Sequence, residues 1–124
     1  MTRRTRRIVE FSFEVPDDRL TVHVLVYPTL KALNEATACS DPIGAEVERY
    51  THERGDDVWF TATMRFCRPR LGVSVIAHEA AHIAVLVHES DRPLRCDNDE
   101  PFALTVGEVA RHVTLGLRDT GCIR

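Results

Sequence analysis

The chain has little of what marks a membrane-spanning, exported or disulfide-framed protein. Its most apolar segment, Val73 to Val87, is shorter than the roughly 18 residues a bilayer-crossing helix needs and is interrupted by His78, Glu79 and His82. The basic cluster Arg3, Arg4, Arg6, Arg7 is followed by the alternating Ile8 to Glu14, not by an apolar stretch, so a secretory leader is not expected. Cys39, Cys67, Cys96 and Cys122 are dispersed without a Cys-x-x-Cys pair, which points to free thiols in a reducing, cytoplasmic setting. Lysine is nearly absent: Lys31 is the only one among 16 basic residues, and no mechanism attaches to the bias. Positive charge is not in excess either, since the net charge is -3, so nucleic acid is not the default partner. Repeats, low-complexity tracts and linkers are missing. What remains at 124 residues and 44% hydrophobic content is one soluble globular domain. Residues 1–7 read as a solvated basic arm and 8–124 as a single domain with one two-layer core.

Hydrophobic periodicity divides that domain. Ile8 to Val15 and Leu20 to Tyr27 alternate as half-buried strands, and Pro16-Asp17-Asp18 between them predicts a hairpin turn. Pro28 opens a short helix over Thr29 to Ala38, which Cys39-Ser40-Asp41-Pro42 ends. Ala45 to His52 is a strand candidate, and Glu53 to Asp57 turns the chain into the clearest strand. Along Val58 to Cys67, Val58, Phe60, Ala62, Met64 and Phe66 share one face while Trp59, Thr61, Thr63 and Arg65 share the other. A helix follows from about Gly72 to Glu89, then a loop from Ser90 to Asn98. A last helix runs from Asp99 to about Leu117, capped by Asn98 or Asp99 with Pro101 in its first turn. The order predicts an α+β fold: a small, mostly antiparallel sheet packed on the two C-terminal helices.

Within the first of those helices lies His78-Glu79-Ala80-Ala81-His82. Residues four apart on a helix project from one face one turn above each other, so the two imidazoles can share a single zinc ion. Glu79 projects about 100° round from His78, off the ligand axis yet near a metal-bound water from which it can take a proton. The flanking Val73 to Ala77 and Ile83 to Val87 contain neither Gly nor Pro, as a buried helix requires. Two histidines and a glutamate in such a setting are costly to bury without partners, and a metal is one.

A hydrolytic zinc site usually takes a third protein ligand. His88 has the spacing of the longer His-Glu-x-x-His-x-x-Gly-x-x-His pattern, but the glycine position is Val85, and a β-branched residue resists the helix break. Without the break His88 lies about 15 Å from His78 along the axis. The methionine turn of that pattern is missing too, because the only methionines are Met1 and Met64. Glu100 is the stronger candidate: the 90–98 loop lets the last helix fold back, and Ala103 and Gly107 on its face allow close approach. Glu108 shares that face about 12 Å further on, so only one of the two carboxylates can serve. His112 and Arg111 on the same helix are candidates for stabilising negative charge in a transition state.

His78-Glu79-Ala80-Ala81-His82 with Asp97 to Ala103 downstream resembles the gluzincin-type zincins, in particular the small metallopeptidases of phage and prophage genomes. The resemblance covers roughly Trp59 to Leu117. It implies a minimal zincin-like domain, a zinc cofactor, and His78, His82 and Glu100 as its ligands. It further implies Glu79 as base and then acid, a peptide or protein substrate, and no membrane partner. It also implies that the strand before the motif helix, Val58 to Cys67, is a sheet edge on which an extended substrate pairs. One departure is Leu104, which stands where better known gluzincins carry an orienting acid; Asp97 or Asp99 is left for that role. Peptide deformylases join an upstream cysteine to the same helix motif, but Ala36 to Asp41 around Cys39 does not resemble theirs, and Cys39 reads as a small core residue. The rival to a peptidase is a non-enzymatic protein: a zincin-like fold kept as a metal-stabilised binding module, or a small regulator whose arginine arm contacts nucleic acid.

Overall fold

A computed structural model describes residues 7–37, 44–88 and 99–124, the side chain of Asp99 excepted. Arg3, Arg4, Arg6, Cys39, Cys96, Asp97 and Asn98, all named above, lie outside the described residues. The elements are β1 (Val9–Val15), β2 (Leu20–Tyr27), α1 (Leu30–Thr37), β3 (Ala45–Arg54), β4 (Asp57–Cys67), α2 (Val73–Val87) and α3 (Asp99–Asp119). They form the expected α+β domain, in which a four-stranded sheet of order β1-β2-β4-β3 carries helices. Among the described residues no helix is long and apolar enough to cross a membrane.

The strands pair as their alternation requires. β1 and β2 make the antiparallel hairpin turned by Pro16–Asp18, with Arg19 in the left-handed region at φ 51°. β3 and β4 make a second hairpin whose two-residue loop is Gly55-Asp56. Gly55 sits at φ 61° and Asp56 is not at positive φ, a pattern that suits glycine at the first loop position. β2 runs parallel to β4, aligning Val22 with Ala62, Val24 with Met64 and Val26 with Phe66. These six side chains form one buried face. Onto it α2 packs Ile76, Ala80 and Ile83, while α3 packs Val109, Val113 and Leu117, each set at helical spacing. Among the described residues the opposite face is covered at one end, where Leu33 of α1 meets Tyr27 and Cys67.

One expectation is overturned. Val58 to Cys67 is not a sheet edge: β4 is hydrogen-bonded on both sides, parallel to β2 and antiparallel to β3. Alternation reports which face of a strand is buried but says nothing about how many neighbours it has. The edge on that side of the sheet is β3, and its charged Glu46, Glu48, Arg49, Glu53 and Arg54 suit an exposed edge.

Two glycines are demanded by packing. Gly121, at φ 77°, ends α3: Cys122 N–H donates to the Leu117 carbonyl and Gly121 N–H to the Arg118 carbonyl, the paired bonds of a Schellman cap. Gly116 lets α3 approach β1, since a Cβ there would stand 2.1 Å from a ring carbon of Phe11. Alanine would gain up to about 1 kcal/mol of helix propensity, but displacing a packed ring costs about 1–3 kcal/mol. Gly116→Ala is therefore expected to lower the urea midpoint, and Phe11→Leu added to it to recover part of the loss. An unchanged or raised midpoint in the single variant would show that Phe11 moves freely.

Candidate metal centre

The site begins with the way α2 is planted. Ile76, Ala80, Ile83 and Ala84 face the sheet and α3, which turns His78 and His82 toward the flank where β3 runs alongside. Their Nε2 atoms converge to 3.2 Å, the rings standing nearly edge to face at 74° with centroids 4.8 Å apart. Two nitrogens bound at about 2.1 Å to one tetrahedral zinc stand about 3.4 Å apart, so this pair fits a shared ion. The His82 imidazole is pushed below its ordinary pKa, first by burial, then by the neighbouring His78 and Arg49. That shift keeps its lone pair available at neutral pH.

Glu79 is 3% exposed, on the inner side of the same turn, with Oε1 3.8 Å from His78 Nε2. A carboxylate this dry and this close to an imidazole nitrogen is a group that can exchange a proton with its neighbours rather than with bulk solvent. His78, Glu79 and His82 line a cleft of about 170 Å³ whose other wall is β3, through Ala45, Glu46, Val47 and Arg49. Arg49 donates from its guanidinium to the His82 main-chain carbonyl at 3.0 Å, tying the helix to the edge strand. Sequence reasoning missed Arg49. Its signal was an arginine in phase with the inward Ala45 and Val47, a pattern that also occurs on ordinary edge strands.

The other residues singled out in the sequence stand elsewhere. α2 runs unbroken through Val85, and His88 just beyond it is held by Thr105: His88 Nε2 and Asp18 Oδ2 each lie 2.7 Å from the Thr105 hydroxyl. With the hydroxyl donating to the Asp18 carboxylate, the His88 ring N–H donates to Thr105, and the three residues link α2, α3 and the β1–β2 turn. Glu100 is exposed in the first turn of α3 and is not among the residues lining the cleft. Glu108 is paired with Arg111 at 3.1 Å. His112 stacks on Phe13 with centroids 4.9 Å apart and, with His88 and Glu108, lines a separate cavity of about 270 Å³. Of the proposed site residues, the structure thus brings together His78, Glu79 and His82, and leaves Glu100, Arg111 and His112 outside their cleft. Among the described residues no third His, Cys, Asp or Glu joins the pair as a ready ligand.

No family model, no curated protein and no solved structure matches this chain.

Proposed function

We propose that this chain is a zinc-dependent metallopeptidase, with His78 and His82 as zinc ligands and Glu79 as the proton-transferring group. The observation that carries the reading is the 3.2 Å convergence of the two imidazoles beside the buried Glu79, in a cleft walled by an edge strand. A zinc ion held there supplies Lewis acidity, polarising a carbonyl and acidifying water. In this reading an extended peptide pairs with the outer edge of β3, which has no partner strand among the described residues. The Glu79 carboxylate takes a proton from the attacking water and returns it to the leaving amine. The Arg49 guanidinium, the cation lining the cleft, opposes the negative charge that grows on the carbonyl oxygen. Glu100, the third ligand proposed from sequence, would have to come to the pair from the exposed first turn of α3.

The test is hydrolysis of a fluorogenic peptide library by zinc-loaded protein. Cleavage is expected to be abolished by 1,10-phenanthroline and restored by added zinc. No cleavage across the library, or cleavage indifferent to the chelator, would contradict the proposal. In the same assay Glu100→Gln is expected to weaken zinc retention if Glu100 is the third ligand; unchanged retention would remove it from the site.

A further inference from the structure

Away from the histidine pair, a cavity of about 470 Å³ opens where the start of β1, the turn after β4 and the C-terminal end of α3 meet. Among the described residues its lining draws on three arginines far apart in sequence, Arg7, Arg68 and Arg118, and on one acidic residue, Asp119. Among the described residues none of the three forms an ion pair, and none is neutralised by Asp119. Arg68 is oriented instead by donating to the Cys122 sulfur at 3.6 Å, a weak acceptor that leaves its charge uncompensated.

The end of a helix ordinarily repels anions, because its last carbonyls are unsatisfied. Here three of the last four carbonyls are occupied. Leu117 and Arg118 accept from the Schellman cap, and Gly116 accepts from both the backbone N–H and the hydroxyl of Thr120. The cavity therefore gathers three arginines at a helix end whose opposing carbonyls are largely taken up, within a protein whose net charge is -3.

We propose that this cavity binds phosphate, and that its occupant is the phosphodiester backbone of a nucleic acid. Guanidinium is the side-chain group best matched to phosphate, through paired N–H donors. Arg3, Arg4 and Arg6 precede Arg7 in the sequence, more positive charge than one isolated phosphate calls for and in keeping with a repeating polyanion. The cavity lining contains Ile8 and Val9 but no aromatic ring on which a base could stack, so binding reads charge and not sequence. The inference does not rest on the zinc site.

The experiment is fluorescence anisotropy of labelled oligothymidylate of about 20 nucleotides with the full chain at about 50 mM salt. Binding is expected to weaken steeply with added salt. Arg68→Ala/Arg118→Ala is expected to lower affinity by about tenfold or more and to reduce the salt slope by about 1.4, at about 0.7 per lost phosphate contact. Should that double variant fail to fold by circular dichroism, Arg118→Gln alone, at an exposed helix end, is expected to give about half the slope change. Inorganic pyrophosphate at constant ionic strength separates the sources of phosphate. Oligonucleotide binding that only excess pyrophosphate displaces supports the backbone as occupant, binding that no excess displaces overturns the cavity as its site, and pyrophosphate binding without oligonucleotide binding overturns that occupant. Absence of both, or oligonucleotide affinity and salt slope unchanged in the folded variants, overturns the proposal.

Discussion

Glu79→Gln is expected to lower peptide hydrolysis by about 10²–10⁴-fold while leaving the fold and the zinc in place, because positioned proton transfer contributes about that much. The amide keeps the volume of the carboxylate but replaces one acceptor oxygen with an N–H donor and cannot accept the proton. Burial sharpens the test. Glu79 is 3% exposed, and a buried carboxylate carries a desolvation cost that the neutral amide escapes. The variant should keep a cooperative thermal transition and its zinc while its kcat/KM collapses. A residue kept for structure alone would give the opposite pattern, with melting temperature and activity falling together. Measurement of kcat/KM beside thermal unfolding and zinc content separates the two. Activity retained within about threefold would move the base to another group.

The second large effect is on stability. Ile83 is 0% exposed, one turn beyond Glu79 on the same inner face of α2, and it packs among β2, β4 and α3 core residues. Truncation to alanine leaves a cavity and costs about 2–5 kcal/mol, which for a domain of this size lowers the melting temperature by roughly 8–25 °C. Val85, on the same helix but 38% exposed, is the control, and its truncation should cost less than about 1 kcal/mol. Comparable losses at the two positions would mean that α2 is not anchored on the face from which His78 and His82 are presented. If it is anchored there, Ile83→Ala should lose its metal only as it unfolds.

How much of this was legible in the chain depended on how local the determinant is. Helical spacing alone put His78 and His82 on one flank of α2, and strand alternation separated Ala62, Met64 and Phe66 from Thr61, Thr63 and Arg65. Pairing was not legible in the same way. That β4 lies inside the sheet follows from the parallel contact with β2, made across an intervening helix and strand, and no residue of β4 announces it. The exposed position of Glu100 depends on where α3 starts relative to α2. His88, equally ambiguous by spacing, is explained only by Thr105 and Asp18, two residues distant in sequence that hold it at 2.7 Å contacts. Arg49 joined the site for the same reason: an edge strand crossing beside a helix is a tertiary fact, and its inward arginine carries meaning only once His82 is seen next to it.

The central claim is that the convergent imidazoles of α2 hold a zinc ion, and zinc stoichiometry by elemental analysis tests it most directly. Protein purified without added metal and then equilibrated with zinc should retain about one ion per chain, and His78→Ala/His82→Ala should retain almost none while keeping its helical circular dichroism. Zinc retained undiminished by the folded double variant would contradict the account.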